Sequence, residues 1–360
     1  MAMILGLVVV VASLLSLVRH KAWWVRVWDF PRLQLAVLGM TALLLLAATR
    51  AWDGWPGIAL GALVAAAVAF QSALVWRYTP LAPREVQRSR SGDPARRLSL
   101  VVSNVLQSNR EADLVLRAVR DCGADVVLCV ETDEWWRERL DRLIDTHPHT
   151  VQCALDNTYG MLLYSRLPLE DASVDFLVED DVPSIQAVVR LRDGQGVWLN
   201  CIHPRPPAPG ESDESLQRDA ELVLVGRRVR DARLPVVVCG DLNDVAWSHT
   251  TSLFQRTSEL VDPRKGRGFF STFHARWPGL RYPLDHVFHS PAFRLVEMRR
   301  LPYVGSDHFP MHVILSLEPD AEQEQAAPEA DAADEQEASE TVAEARETVA
   351  DERRKEGSAG

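Results

Sequence analysis

Cysteine is scarce and unpatterned: the 360 residues hold five, Cys122, Cys129, Cys153, Cys201 and Cys239, with no CxxC spacing. A disulfide scaffold or a Cys-ligated zinc site needs denser placement, so neither organises this chain. Three of the five lie in apolar runs and read as small core residues. Basic charge is also short. The formal net charge is −11, and the segment from Glu318 to Gly360, with 15 Asp and Glu against four Lys and Arg, accounts for all of it. Residues 98–317 hold 31 acidic against 24 basic residues. A protein that grips duplex nucleic acid over a broad face carries a cationic surplus, because phosphate neutralisation supplies much of the affinity. That surplus is missing, although the totals leave room for a local basic patch. The N-terminus lacks the basic start and small-residue cleavage site of a signal peptide.

Long apolar runs are present. Met1 to Val18, Leu33 to Thr49 and Gly57 to Val75 are uncharged and each approaches the ~20 residues that cross a bilayer. Trp23, Trp24, Trp28, Trp52, Trp55 and Trp76 lie between or beside these runs, where indole rings favour the headgroup layer. The expectation is a three-span membrane anchor over residues 1–78. Arg19, Lys21, Arg26 and Arg32 precede the second run and Arg77, Arg84, Arg88, Arg90, Arg96 and Arg97 follow the third, whereas the intervening loop has only Arg50 and Asp53. Basic loops stay cytoplasmic, which puts the C-terminal portion on the cytoplasmic face of a multi-pass protein of the cell membrane. Residues 79–97, with Pro80, Pro83, Gly92 and Pro94 among Arg and Ser, read as a solvated linker. The tail, 318–360, is rich in Ala and Glu with few large apolar residues and is expected to be disordered.

Between linker and tail, strand-like runs occupy 98–102, 125–130, 161–164, 185–191, 197–202, 235–239, 284–288 and 312–317. Glu111 to Asp121 and Leu216 to Arg230 have helical spacing. Many strands with a few flanking helices indicate a layered α/β sandwich. Polar residues able to hold metal stand just at the strand ends: Asn104, Glu131, His203, Asp241 and Asn243, Asp285, and Asp307 with His308. Alone, each has an ordinary explanation as a turn or loop residue. Together, strands ending in common would collect them at one rim.

These residues fall in ordered motifs: Ser103-Asn104-Val105, Val130-Glu131-Thr132, Gly160 through Arg166, Cys201-Ile202-His203, Gly240-Asp241-Leu242-Asn243, Leu284 through Val287, and Gly305-Ser306-Asp307-His308. Over 98–317 the chain resembles the endonuclease/exonuclease/phosphatase (DNase I-like) superfamily. Its membrane-anchored members look most similar, on Phe30 to Leu35, His203 to Pro207 and Gly240 to Ser248. The resemblance implies a four-layer α/β/β/α sandwich following three transmembrane helices, and a phosphoric ester hydrolase that uses Mg²⁺ (or Mn²⁺) to offset charge on the phosphoryl oxygens. It implies Glu131 as first metal ligand with Asn104 and Asp307 flanking. Asp241 would position and deprotonate the attacking water. Asn243 and His203 would contact the phosphoryl group, and His308, oriented by Asp285, would act as base-like partner or phosphate donor. Leu106 stands where some family nucleases carry a second carboxylate, which weakens transfer from those nucleases.

Arg205 and Trp247 are candidate substrate contacts, the latter as readily a packing residue. His147 and His149 read as a surface loop without zinc partners, and His286, His289 and His312 as packing or supporting residues beside the site. Trp135 and Trp136 read as core in preference to rim aromatics. The expected partners are the bilayer and a phosphate ester, lipid-linked in preference to nucleic acid, with no obligate protein partner. A non-catalytic membrane scaffold is the alternative from another class.

Overall fold

The computed structural model describes residues 1–50 and 54–359; Trp52 and Asp53 lie outside them. The chain divides into two compact units. The first comprises Met1–Pro83 with Pro207–Ser215 and Lys265–Gly268. It contains α1 (Ala2–Leu15), the short α2 (Trp23–Arg26), α3 (Arg32–Ala48) and α4 (Trp55–Trp76). Val10, Ala42 and Val64 form its core. Helices approach closely at Gly39, where a Cβ would stand 2.5 Å from Val68 Cγ2, as small residues permit in apolar bundles. A buried polar set crosses this unit: Arg32 donates to Asp29 (2.5 Å) and Gln71 (3.1 Å), and Gln71 donates to Ser13 (3.1 Å).

The expectation of three spans is corrected by helix length. At ~1.5 Å per residue, the 14 residues of α1 and 17 of α3 fall short of a ~30 Å hydrocarbon layer. Among the described residues only α4, with 22, is long and apolar enough to cross; a second span appears only if the pair Trp23–Asp29 and Arg32–Ala48, bent by 71°, counts as one.

The second unit comprises Arg84–Pro206, Leu216–Arg264 and Phe269–Gly360. Its described residues form eleven strands in two mixed sheets. The first holds β1 (Arg97–Asn104), β2 (Val126–Val130), β3 (His149–Cys153), β4 (Met161–Ser165), β10 (Phe293–Arg300) and β11 (Met311–Leu317) in the order β10-β11-β1-β2-β4-β3. The second runs β5 (Leu169–Asp175), β6 (Ser184–Arg190), β7 (Gly196–Cys201), β8 (Val236–Asp241) and β9 (Asp285–His289) in chain order. Among these strands, β1/β2 and β7/β8 are the parallel pairs.

Alternation along each strand builds the layers. Leu98, Leu100 and Val102 join Leu199, Val237 and Val287 in the core between the sheets. Val101 and Val127 face outward to α5 (Ala112–Cys122) and α6 (Glu134–Leu140). Val236 and Val238 face α7 (Leu216–Arg230) and α8 (His249–Ser258). Local signals set the helix ends: α5 stops at Gly123, left-handed at φ 67, and the Ser248 hydroxyl accepts from Thr251 N (2.9 Å) at the start of α8. The result is an α/β fold with a helical layer on each outer face.

Two further expectations are revised. Residues from Arg84 onward are not a solvated linker: Val86 is fully buried in the inter-sheet core, and Ser89 N and Gln87 O bond to Leu295 on the edge of β10. The tail is not disordered over its length. It forms α9 (Ala332–Ala359), in which Ala338, Val342 and Ala345 make a buried stripe on α7 and α8. Ion pairs Asp334–Arg256, Glu335–Arg227 and Glu335–Arg230, with a His249–Glu337 hydrogen bond, align it.

Glu221 on α7 is buried, accepting from the Ser184 hydroxyl at 2.9 Å. Burial, with Glu179 nearby, pushes its carboxyl up to about 8. The folded state therefore holds a proton that the unfolded chain releases near the ordinary carboxyl value, and stability falls as pH rises between about 4.5 and 8. Glu221→Gln removes this slope, at most about 1.4 kcal/mol per pH unit. Urea midpoints of variant and wild type should converge at pH 5 and separate in the variant's favour at pH 8. A constant difference at all pH values would contradict the assignment.

Candidate active site

The sheets bring one set of strand ends together. Asn104 is the last residue of β1, Glu131 follows β2, His203 lies two beyond β7 and Asp241 ends β8. β9, running the opposite way, begins with Asp285 in register with Asp241, and His308 precedes β11. The Asn104 amide links the two sheets, its Nδ2 donating to Glu131 Oε1 (2.6 Å) and Asp241 Oδ2 (2.9 Å), while its Oδ1 accepts from Leu106 N (3.0 Å). Asp241 Oδ2 is also 3.6 Å from His308 Nε2, and His308 Nδ1 donates to Asp285 Oδ2 at 2.8 Å. His203 joins from the other flank, Nδ1 donating to the Asp241 carbonyl (3.1 Å) and leaving Nε2 free of that bond.

The backbone is bent to make this possible. Leu106, Glu131 and Asn243 have φ of 57°, 58° and 51°, a left-handed conformation that costs about 1–3 kcal/mol per non-glycine residue and clusters at working sites. Gly240, at φ 150°, passes so near β7 that a Cβ would lie 1.8 Å from the Ile202 carbonyl oxygen. Only glycine can occupy the position before Asp241.

Electrostatics follow from burial and like charge. Burial opposes charge on Asp241, but His308 and His203 hold its carboxyl below the ordinary range. Burial likewise disfavours the His308 imidazolium, yet the carboxylates of Asp285 and Asp241 hold it up to about 10. Burial pushes Glu131 up. Beneath lies a polar layer that no sequence motif announces. Arg264, with no exposed surface, pairs with Asp262 (2.8 Å) and donates to His286 Nδ1 (2.6 Å), so His286 donates from Nε2 to the Asp244 carbonyl (2.9 Å). Arg218 donates to the Asn243 carbonyl at 2.9 Å. Only the fold brings these arginines under the site.

Of the expected site residues, Asn104, Glu131, His203, Asp241, Asp285 and His308 are gathered. Asn243 is tied in through its backbone N–H to Asp241 Oδ1 (3.0 Å), its amide donating to the Pro204 carbonyl (3.0 Å). Asp307 is half-buried beside His308, takes a long bond from Ser306 (3.4 Å), and makes no hydrogen bond to Glu131 or Asn104. Arg205 is held by Glu179 and Asp181 (2.9 Å each) over the Tyr159 ring, so its guanidinium is engaged rather than open. Trp247 is 6% exposed and packs edge-on against Phe269: it is packing. His147 is buried against the Ala124 carbonyl, not a surface loop residue.

The donors fit a hard divalent cation. They are mainly carboxylate oxygens, one of them, Asp285 Oδ1, buried without a hydrogen bond. Ligand atoms of Asp241, Asp285 and His308 lie within 4.8 Å of one another, and Glu131 adjoins through Asn104.

The profile of the Endonuclease/Exonuclease/phosphatase family matches residues 101–308. Among solved structures, D. rerio TDP2 humanized by 14 mutations is 16% identical, with a TM-score of 0.52 over 61% of this chain and 99% of that one. A family member from Beutenbergia cavernae is 19% identical (TM-score 0.51; 62% of this chain, 72% of that one). One from Bacteroides vulgatus is 18% identical (TM-score 0.51; 62% and 99%). At such identities the likeness is one of fold. No curated protein sequence matches significantly. With the matched segment spanning more than half its length, the chain belongs to the endonuclease/exonuclease/phosphatase family, divalent-metal-dependent hydrolases of phosphate esters.

Proposed function

We propose that this protein is a membrane-associated phosphoesterase that hydrolyses a phosphate mono- or diester by in-line attack of water, with Mg²⁺ as the preferred ion and Mn²⁺ as substitute. The observation that carries the reading is the unbroken run of polar contacts from Glu131 through Asn104, Asp241 and His308 to Asp285. Glu131 is the principal ligand, with Asn104 and Asp307 flanking it. When bound, the ion offsets negative charge on the phosphoryl oxygens. Asp241, kept ionised by two imidazoles, orients the water and takes its proton. His308, held charged by Asp285, donates to a phosphoryl oxygen. Asn243 and His203 approach the phosphoryl group from the far side, with His203 Nε2 placed to assist the leaving group.

A lipid-linked phosphate is the favoured substrate, supported by α4 and its apolar neighbours, and the arginines after α4 favour the cytoplasmic face. Nucleic acid is the second reading, motivated by D. rerio TDP2, whose structure has been determined with a single-strand DNA product. A silent scaffold has no use for the complete polar set. The test is an assay of the full chain in detergent against a phosphodiester, a lipid pyrophosphate and single-stranded DNA. Activity should appear with Mg²⁺ and vanish with chelator; activity indifferent to chelation on every substrate would end the proposal. A C-terminal reporter active only outside the cytoplasm would reverse the orientation.

A further inference from the structure

A cleft of about 590 Å³ opens beside the catalytic cluster, bounded by Leu106, Asn109, Arg110, Arg276, Tyr303 and Gly305. Its place is set by the site itself. Leu106 N bonds Asn104, and Gly305 stands two residues before Asp307. Asn109 forms the floor, donating to the carbonyls of Val105 (3.0 Å) and Val304 (3.1 Å). The volume suits a small organic group.

The walls are unequal in charge. Arg110 is neutralised by Asp133 (2.8 Å) and lies over the Trp135 ring, and Glu111 also lines the cleft. Arg276 is different. Its guanidinium is fixed by donating to Tyr303 Oη (2.7 Å) and the Gly305 carbonyl (3.0 Å), and it makes no ion pair among the described residues. Three of its five N–H groups remain for a ligand. The Tyr303 ring is 6.4 Å from Phe309, and Phe309 carries Arg281 and Arg300 at 5.2 and 5.0 Å. Both donate to backbone carbonyls, of Ala275 and Ser271, and neither meets a carboxylate among the described residues. Burial and the adjacent Arg281 charge push the Arg300 guanidinium below its usual value. Three unneutralised guanidiniums, Arg276 over Tyr303 and Arg281 and Arg300 over Phe309, the residue directly after His308, leave an unmet demand for anionic charge in an otherwise acidic domain.

We propose that Arg276, with Arg281 and Arg300 extending its track, binds a second phosphoryl group of the substrate, adjacent to the one that is hydrolysed. This rests on the phosphoesterase reading and narrows it to substrates with more than one phosphate. The common chemistry is a phosphoryl anion, supplied by either a nucleic-acid backbone or a lipid diphosphate.

Binding without turnover separates the two claims. The full chain in detergent, kept metal-free by chelator, is titrated by calorimetry with inorganic tripolyphosphate, pentathymidylate and a short-chain lipid diphosphate. Wild type should bind tripolyphosphate, and Arg276→Ala and the double variant Arg281→Ala/Arg300→Ala should weaken it at least tenfold. Arg276→Lys should recover part of the loss, and Arg190→Ala, on β6, should change nothing. Loss confined to pentathymidylate among the organic ligands assigns the second phosphate to a nucleic-acid backbone, and loss confined to the lipid diphosphate assigns it to a headgroup; either supports the site. No binding by wild type, or equal affinity in wild type and both alanine variants, overturns it, whatever the hydrolytic assay shows.

Discussion

Asp241→Asn should lower kcat by roughly 10²–10⁴-fold, the usual worth of positioned acid-base help, and leave KM nearly unchanged. The substitution preserves shape. An asparagine oxygen still accepts from Asn104 Nδ2 and the His203 bond is to the Asp241 backbone carbonyl, while the Asn243 N–H, which meets Asp241 Oδ1, then faces the amide nitrogen. What disappears is the capacity to take a proton, at a carboxylate that two imidazoles keep ionised despite complete burial. A residual rate within tenfold of wild type, in a variant whose near-ultraviolet dichroism is unaltered, would remove Asp241 from the chemistry.

The second large effect concerns Glu131→Gln. If Glu131 is the principal ligand, losing its charge raises the Mg²⁺ concentration for half-maximal activity more than tenfold and cuts kcat/KM by about 10²-fold at saturating metal, in the range that disturbed metal shells produce. The opposing arrangement is specific. Asp241, Asp285 and His308 offer ligand atoms within 4.8 Å of one another without Glu131. A variant with depressed activity but an unmoved metal curve would place the ion on that triad. The close Asp285–His308 hydrogen bond favours Glu131, because an imidazole held charged by two carboxylates has no lone pair to give.

How legible these features are in the sequence varies with the kind of interaction. Strands buried on both faces, such as β2 and β8, appear as nearly unbroken Val-rich runs. Three of the edge strands, β3, β5 and β10, do not: β5 has no fully buried residue along LEDASVD and owes its form to pairing with β6. Catalytic residues at strand ends are legible because each motif is local. Asp307 groups with the metal ligands by its neighbour in sequence, yet its side chain bonds only near home. Arg205, an apparent phosphate contact in a proline-rich loop, is consumed by Glu179 and Asp181, which lie some two dozen residues earlier. Arg218, Arg264 and Arg276 carry no signature at all. The acidic tail misleads for a related reason: composition counts residues without asking which face they share, and three small apolar positions at helical spacing are enough.

The strip from Gln87 to Ser89, bonded along Leu295, bears on how the second unit can be handled. β10 is the last strand of its sheet, and without that strip its outer amides and carbonyls would be a template for another chain to add onto. A truncation starting at Leu98, where the hydrophobic texture suggests a natural cut, strips away this shield together with Val86, so its product would clump through sheet-to-sheet addition. Starting at or before Arg84 keeps that cover over Leu295 in place.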